Sequence, residues 1–69
     1  MIKIHLSRIL GEKKLKRSDL KRKTGIRDDT ITAYYYEYIK RINKEDLDKI
    51  CKALNCRIDE LLEYIPDEE

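Results

Sequence analysis

Apolar residues in this chain recur at helical spacing in five short blocks separated by polar turns. In the first, Ile2, Leu6, Ile9 and Leu10 fall at i, i+4, i+7 and i+8, which predicts a helix over about residues 3–13. It ends near Lys13 and Lys14, where cations suit the negative pole of the helix. A second helix is predicted over about 17–24, with Leu20 and Thr24 on one face. Its start is ambiguous: Ser18 is the better cap by chemistry, whereas the register of the two-helix unit around Gly25 places the cap at Lys16. A third helix over about 28–37 carries Ile31, Tyr34, Tyr35 and Tyr38 at i, i+3, i+4 and i+7, so those tyrosines are expected inward and Tyr36 elsewhere. Asp28 and Asp29 occupy its first turn, where carboxylates complement the dipole and satisfy free amides.

Asn43 before Lys44, Glu45 and Asp46 is a strong helix start, and the stripe Leu47, Ile50, Cys51, Leu54 continues it to about Leu54. Asn55, which tolerates the left-handed conformation, ends it. A last helix over about 58–64 is expected to bury Ile58, Leu61, Leu62 and Ile65, and Pro66 stops it before the acidic tail at 66–69. There is no repeat, no Gly/Ser linker and no low-complexity segment. The expectation is therefore a single all-α domain of five helices over residues 1–69.

A chain of 69 residues buries roughly 60% of the surface that its unfolded form exposes. A core of that size seldom contributes more than about 3–5 kcal/mol net without a metal, disulfides or a partner subunit, which makes dimerisation an expectation on stability grounds alone. The two cysteines, Cys51 and Cys56, match neither a CxxC metal or redox site nor a spaced disulfide framework, so both are expected reduced. Cys51 lies in an apolar stripe, where a thiol behaves as a small hydrophobe. His5 is the sole histidine and has no metal-ligand or carboxylate-serine constellation around it in sequence. No phosphate-binding glycine loop and no nucleophile with an adjacent base is present, so neither an enzyme nor a cofactor or metal is expected. Nothing in the opening residues reads as a secretory signal and no apolar run approaches the ~20 residues of a membrane span. A cytoplasmic protein without a membrane partner is the resulting expectation.

The net charge of +2 hides a segregation. Residues 1–44 carry thirteen Lys or Arg against five Asp or Glu, whereas residues 45–69 carry three against nine. The first part is built for an anionic partner, and its cations flank the second and third predicted helices on both sides. Those two helices are separated by Gly25, which permits the positive φ of a tight turn at no steric cost. Two short helices joined through such a glycine form the unit with which many proteins read duplex DNA.

On Leu20, Gly25, Ile26, Ile31 and Tyr34, and on the downstream segment EDLDKICKALNCRIDELLEYIPDEE, the chain resembles the Cro/repressor class of helix-turn-helix domains, the lambda-repressor-like or xenobiotic-response-element type, over nearly its whole length. The resemblance implies a compact five-helix bundle with the helix-turn-helix at about 17–36, binding operator DNA as a symmetric dimer with the third helix in the major groove. It implies a transcriptional regulator, with repression the expected sign. Carried over by position, Asp28, Asp29, Thr32 and Ala33 would face the bases, and Lys16, Arg17, Arg27, Tyr36, Lys40 and Arg41 would lie against the backbone, Arg17 touching phosphate or a base edge.

Three features depart from that pattern. Lys21 stands where the class has alanine, at the close crossing of the two helices, so its stem must lie along the interface with the ammonium at the surface. Asp28 and Asp29 present two carboxylates where neutral or basic groups are common; a carboxylate accepts from cytosine N4 but is repelled by phosphates. Arg27 stands in place of a serine cap. These features leave open narrow sequence choice, weak affinity, or an alternative reading as a protein-interaction module whose tyrosine-rich third helix contacts a protein partner.

Overall fold

The computed structural model describes residues 1–67, so Glu68 and Glu69 of the expected acidic tail lie outside the described residues. Five helices and one small sheet occur in the order β1 (Ile2–Ile4), α1 (Leu6–Glu12), α2 (Arg17–Thr24), α3 (Asp28–Tyr35), α4 (Lys44–Leu54), α5 (Ile58–Leu61) and β2 (Leu62–Tyr64). Each helix contributes fully buried side chains to one core: Leu6 and Leu10, Leu20, Ile31 and Tyr34, Ile50 and Leu54, and Leu61. The helical bundle is as the apolar spacing predicts.

The first and last elements differ from their expected extents. Residues 2–4 and 62–64 pair as an antiparallel two-stranded sheet in the register Ile2↔Tyr64, Lys3↔Glu63, Ile4↔Leu62. The expected first helix therefore loses its opening turn, and the last helix is a single turn. Ile2-Lys3-Ile4 fits period 2 as well as the helical spacing that links Ile2 to Leu6, and only a partner some sixty residues away decides between them. In consequence Ile2 and Ile58, both expected on apolar faces, are 54% and 49% exposed, while Ile4 is buried.

Glu37 ties the sheet to the loop after α3. Its carboxylate Oε1 accepts the Ile4 backbone N–H at 2.9 Å and so occupies a donor on the outer edge of β1. The residue itself sits at φ 65°, which breaks the helical rise one residue after the Tyr36 cap. This break corrects the expected inward placement of Tyr38: with α3 ended at Tyr35, the 3.6-residue period no longer applies, and Tyr38 is 59% exposed. Tyr34 is fully buried, and its hydroxyl accepts the Asn43 backbone N–H at 3.1 Å. Burial raises the Tyr34 pKa above its ordinary value.

Candidate nucleic-acid interface

The start of α2 settles the ambiguity between Lys16 and Ser18. Lys16 is the N-cap, in extended conformation, and its backbone N–H donates to Asp19 Oδ2 at 2.8 Å. A lysine side chain cannot cap a helix, so the carboxylate three residues on reaches back instead. The other Asp19 oxygen accepts from Arg22 at 2.9 Å. The backbone bond from Lys16 and then the Arg22 guanidinium hold the Asp19 carboxyl below its usual value.

At the elbow, the Gly25 N–H donates to the Lys21 carbonyl at 2.8 Å with φ +77°. A Cβ built on Gly25 would meet nothing within 4 Å, so the glycine is required by its dihedral angle and not by close approach. Thr24 latches the turn: its hydroxyl donates to the Leu20 carbonyl at 2.7 Å and accepts the Ile26 N–H at 3.1 Å. Buried Ile26 then anchors the far side of the elbow in the core. Local hydrogen bonds and one apolar anchor thus set how α3 leaves α2.

The N-cap of α3 is Arg27, which makes no side-chain cap bond. Its first turn carries exposed Asp28 and Asp29, and each carboxylate faces a cation. Lys21 Nζ lies 3.0 Å from Asp28 Oδ2, with its ammonium at the surface as its place in the pattern requires. Arg27 Nε lies 3.7 Å from Asp29 Oδ1. Lys21 is therefore both the departure from the expected alanine and the partner of the carboxylate that makes the next departure. The front of α3 is a set of opposed charges, not a bare acidic patch.

Further along α3, Arg17 leans over the helix. Its Nη1 donates to Thr32 Oγ1 at 3.2 Å, and its guanidinium carbon lies 5.0 Å from the Tyr35 ring centre and 5.2 Å from that of Tyr36. The two rings meet edge to face at 4.9 Å. Arg17, Thr32 and Tyr36, which the sequence places in different parts of the interface, are thus one cluster. Asp29, Ala33, Lys40 and Arg41 line a second common groove beside Thr30, Tyr38 and Ile39. Ala33 offers least surface there: it is buried, and its carbonyl accepts the N–H groups of Tyr38 and Ile39 at 3.0 and 3.3 Å. Lys16, Lys40 and Arg41 are exposed and without an ion-pair partner among the described residues.

Two participants are not legible in the chain. Tyr35, expected on the inward face, is half-buried and turns its ring toward Arg17. Glu37 carries no signal, because its partner Ile4 is remote in sequence. Away from this surface, Cys51 and Cys56 are free thiols, both half-buried against the core. Burial, and then the neighbouring Cys51, push the Cys56 thiol from 9.0 up to about 11. No helix among the described residues is long and apolar enough to cross a membrane.

The sequence matches the family model described as the Cro/C1-type HTH DNA-binding domain over residues 5–67, from the residue before α1 to the last described position. Neither a curated protein nor a solved structure matches it. The matched span holds both helices of the elbow and the α4–α5 support, so the chain belongs to the Cro/C1-type helix-turn-helix DNA-binding domain family.

Proposed function

We propose that this protein is a sequence-specific regulator of transcription that binds duplex DNA as a homodimer, presents α3 to the major groove, and represses by occluding a promoter. The observation that carries the reading is the outward side of α3. Asp28, Asp29 and Tyr36 are exposed there beside half-buried Thr32, and Lys16, Lys40 and Arg41 stand nearby without acidic partners among the described residues. Short polar groups reach base edges while marginal cations fix the register on phosphates. In this reading Asp28, Asp29 and Thr32 face bases, Ala33, expected with them, is buried and is not among them, and Lys16, Arg17, Arg27, Tyr36, Lys40 and Arg41 hold the backbone.

The Lys21–Asp28 and Arg27–Asp29 pairs favour DNA over a protein partner as the ligand of this surface. A carboxylate already facing a cation repels phosphate less than a bare one, and it keeps lone pairs with which to accept from cytosine N4. The regulator would work in the cytoplasm or nucleoid, and a twofold assembly would set two α3 helices about 34 Å apart, one duplex turn.

Selection of duplexes from a random pool at two salt concentrations tests the proposal. Enrichment of a near-palindrome, bound at least about tenfold more weakly at the higher salt, is the expected result. Failure to enrich any duplex at either salt overturns it. The Asp28→Ser, Asp29→Ser double variant separates the alternatives: a changed preferred sequence supports base reading, whereas DNA binding gained only in the variant supports a protein-interaction surface.

A further inference from the structure

We propose that Arg17 reads a guanine edge in each half-site and that the Tyr35 and Tyr36 rings, with Thr32, are positioning residues that set the plane of its guanidinium. The inference rests on the DNA-binding proposal and assigns Arg17 a base where that proposal leaves it on the backbone.

Arg17 differs from every other arginine in the chain. Arg8, Arg22, Arg27 and Arg57 each face a carboxylate at 2.9–3.8 Å, and Arg41 is exposed with no partner among the described residues. Arg17 alone is half-buried, and it has no acidic partner among the described residues. Its surroundings are instead a hydroxyl at 3.2 Å and two aromatic rings at 5.0 and 5.2 Å whose planes stand 73° apart. Cation–π attraction of this kind holds a guanidinium without consuming its N–H groups.

That distinction decides what the side chain can do. A phosphate contact needs charge and tolerates a swinging stem, as the exposed cations Lys16, Lys40 and Arg41 provide. Reading guanine needs two N–H donors presented in one plane toward O6 and N7. In Arg17 one Nη1 hydrogen is committed to Thr32, while Nη2 and Nε have no protein acceptor among the described residues. The Nη2–Nε edge is therefore a free two-donor fork, held against Thr32, one helical turn beyond Asp28 on the same side of α3. Its side-chain freedom is already restricted before DNA arrives, which reduces the ordering cost of a bidentate contact.

The test compares duplex selections by the native protein, Arg17→Lys, Tyr35→Phe, Tyr35→Leu and Tyr36→Leu, with the folding of each checked first by circular dichroism and thermal melting. The native protein should enrich sites with one strongly preferred G·C pair per half-site. Arg17→Lys, which keeps the charge but not the fork, should lower that preference at least about tenfold at this position alone, with the salt slope unchanged. Tyr35→Phe should retain the preference and Tyr35→Leu should weaken it. If Arg17→Lys binds every duplex proportionally more weakly with the same base preferences, Arg17 is a phosphate contact and the inference falls. If Tyr35→Leu keeps the guanine preference, or does not fold while Tyr36→Leu folds and keeps it, the positioning role falls. If the native protein enriches no duplex, the DNA-binding proposal itself is overturned, an outcome separate from the other two.

Discussion

α3 and α4 lie next to each other in the chain and are built by opposite rules. α4 begins with an Asn43 side chain that accepts from the Glu45 and Asp46 backbone N–H groups at 2.7 and 3.4 Å, buries Ile50 and Leu54, and ends on Asn55 at φ 52°. Capping, periodicity and termination all agree there. α3 begins on an arginine without a side-chain cap, exposes its C-cap Tyr36, and is broken by a glutamate at φ 65°. Local rules are broken where side chains must face outward. α4 is thus scaffold throughout, whereas α3 anchors Ile31 and Tyr34 in the core and keeps on its outward side chemistry that helix stability does not require.

Breaking the scaffold should have the largest effect. Leu54→Ala removes a fully buried side chain and should cost about 2–5 kcal/mol, read as a lower denaturant midpoint. The two helix starts should then respond in opposite directions. Asn43→Ala removes the α4 cap and should cost about 1 kcal/mol, whereas Arg27→Ser supplies a missing hydroxyl and should add a comparable amount. Under the DNA-binding proposal Arg27→Ser also removes a phosphate contact, so its affinity should fall as its melting temperature rises. Equal signs in the two melting experiments would erase the contrast.

Lys21→Met should leave melting nearly unchanged, because exposed ion pairs contribute little. Its unmasked Asp28 should weaken duplex binding by about fivefold, the factor for about 1 kcal/mol between unit charges about 4 Å apart in water. The smallest effect is confined to alkaline solution. The folded protein holds the Cys56 proton up to about pH 11 and the unfolded chain releases it near 9.0, so the folded state binds more protons in that interval. Stability should fall as pH rises from about 9 to 11, and Cys56→Val should flatten that part of a pH titration of the melting temperature.

Much of the fold is legible from residue spacing because helices are local. The bounds of α2 and α4, the Gly25 elbow, the Asn43 cap and the Asn55 end each depend on residues within one or two turns. The charge segregation points to an anionic partner, and the family match supports DNA binding. What spacing misses depends on partners far apart in the chain. Ile2-Lys3-Ile4 is a strand because it meets residues 62–64, and Tyr38 is exposed because α3 stops where Glu37 bonds back to Ile4. Likewise the Arg17 cluster joins the start of one helix to the end of the next.

Amino-acid order was enough to specify the five helical segments, the elbow between two of them and the cationic character of that half, since propensity, capping and periodicity act over a few residues. The β1–β2 pairing, the pairing of Lys21 with Asp28 and the seat of Arg17 on two rings were settled by the folded arrangement instead. Each of those needs groups of two different elements to meet at ångström precision, and no preference within one element encodes where the other will be.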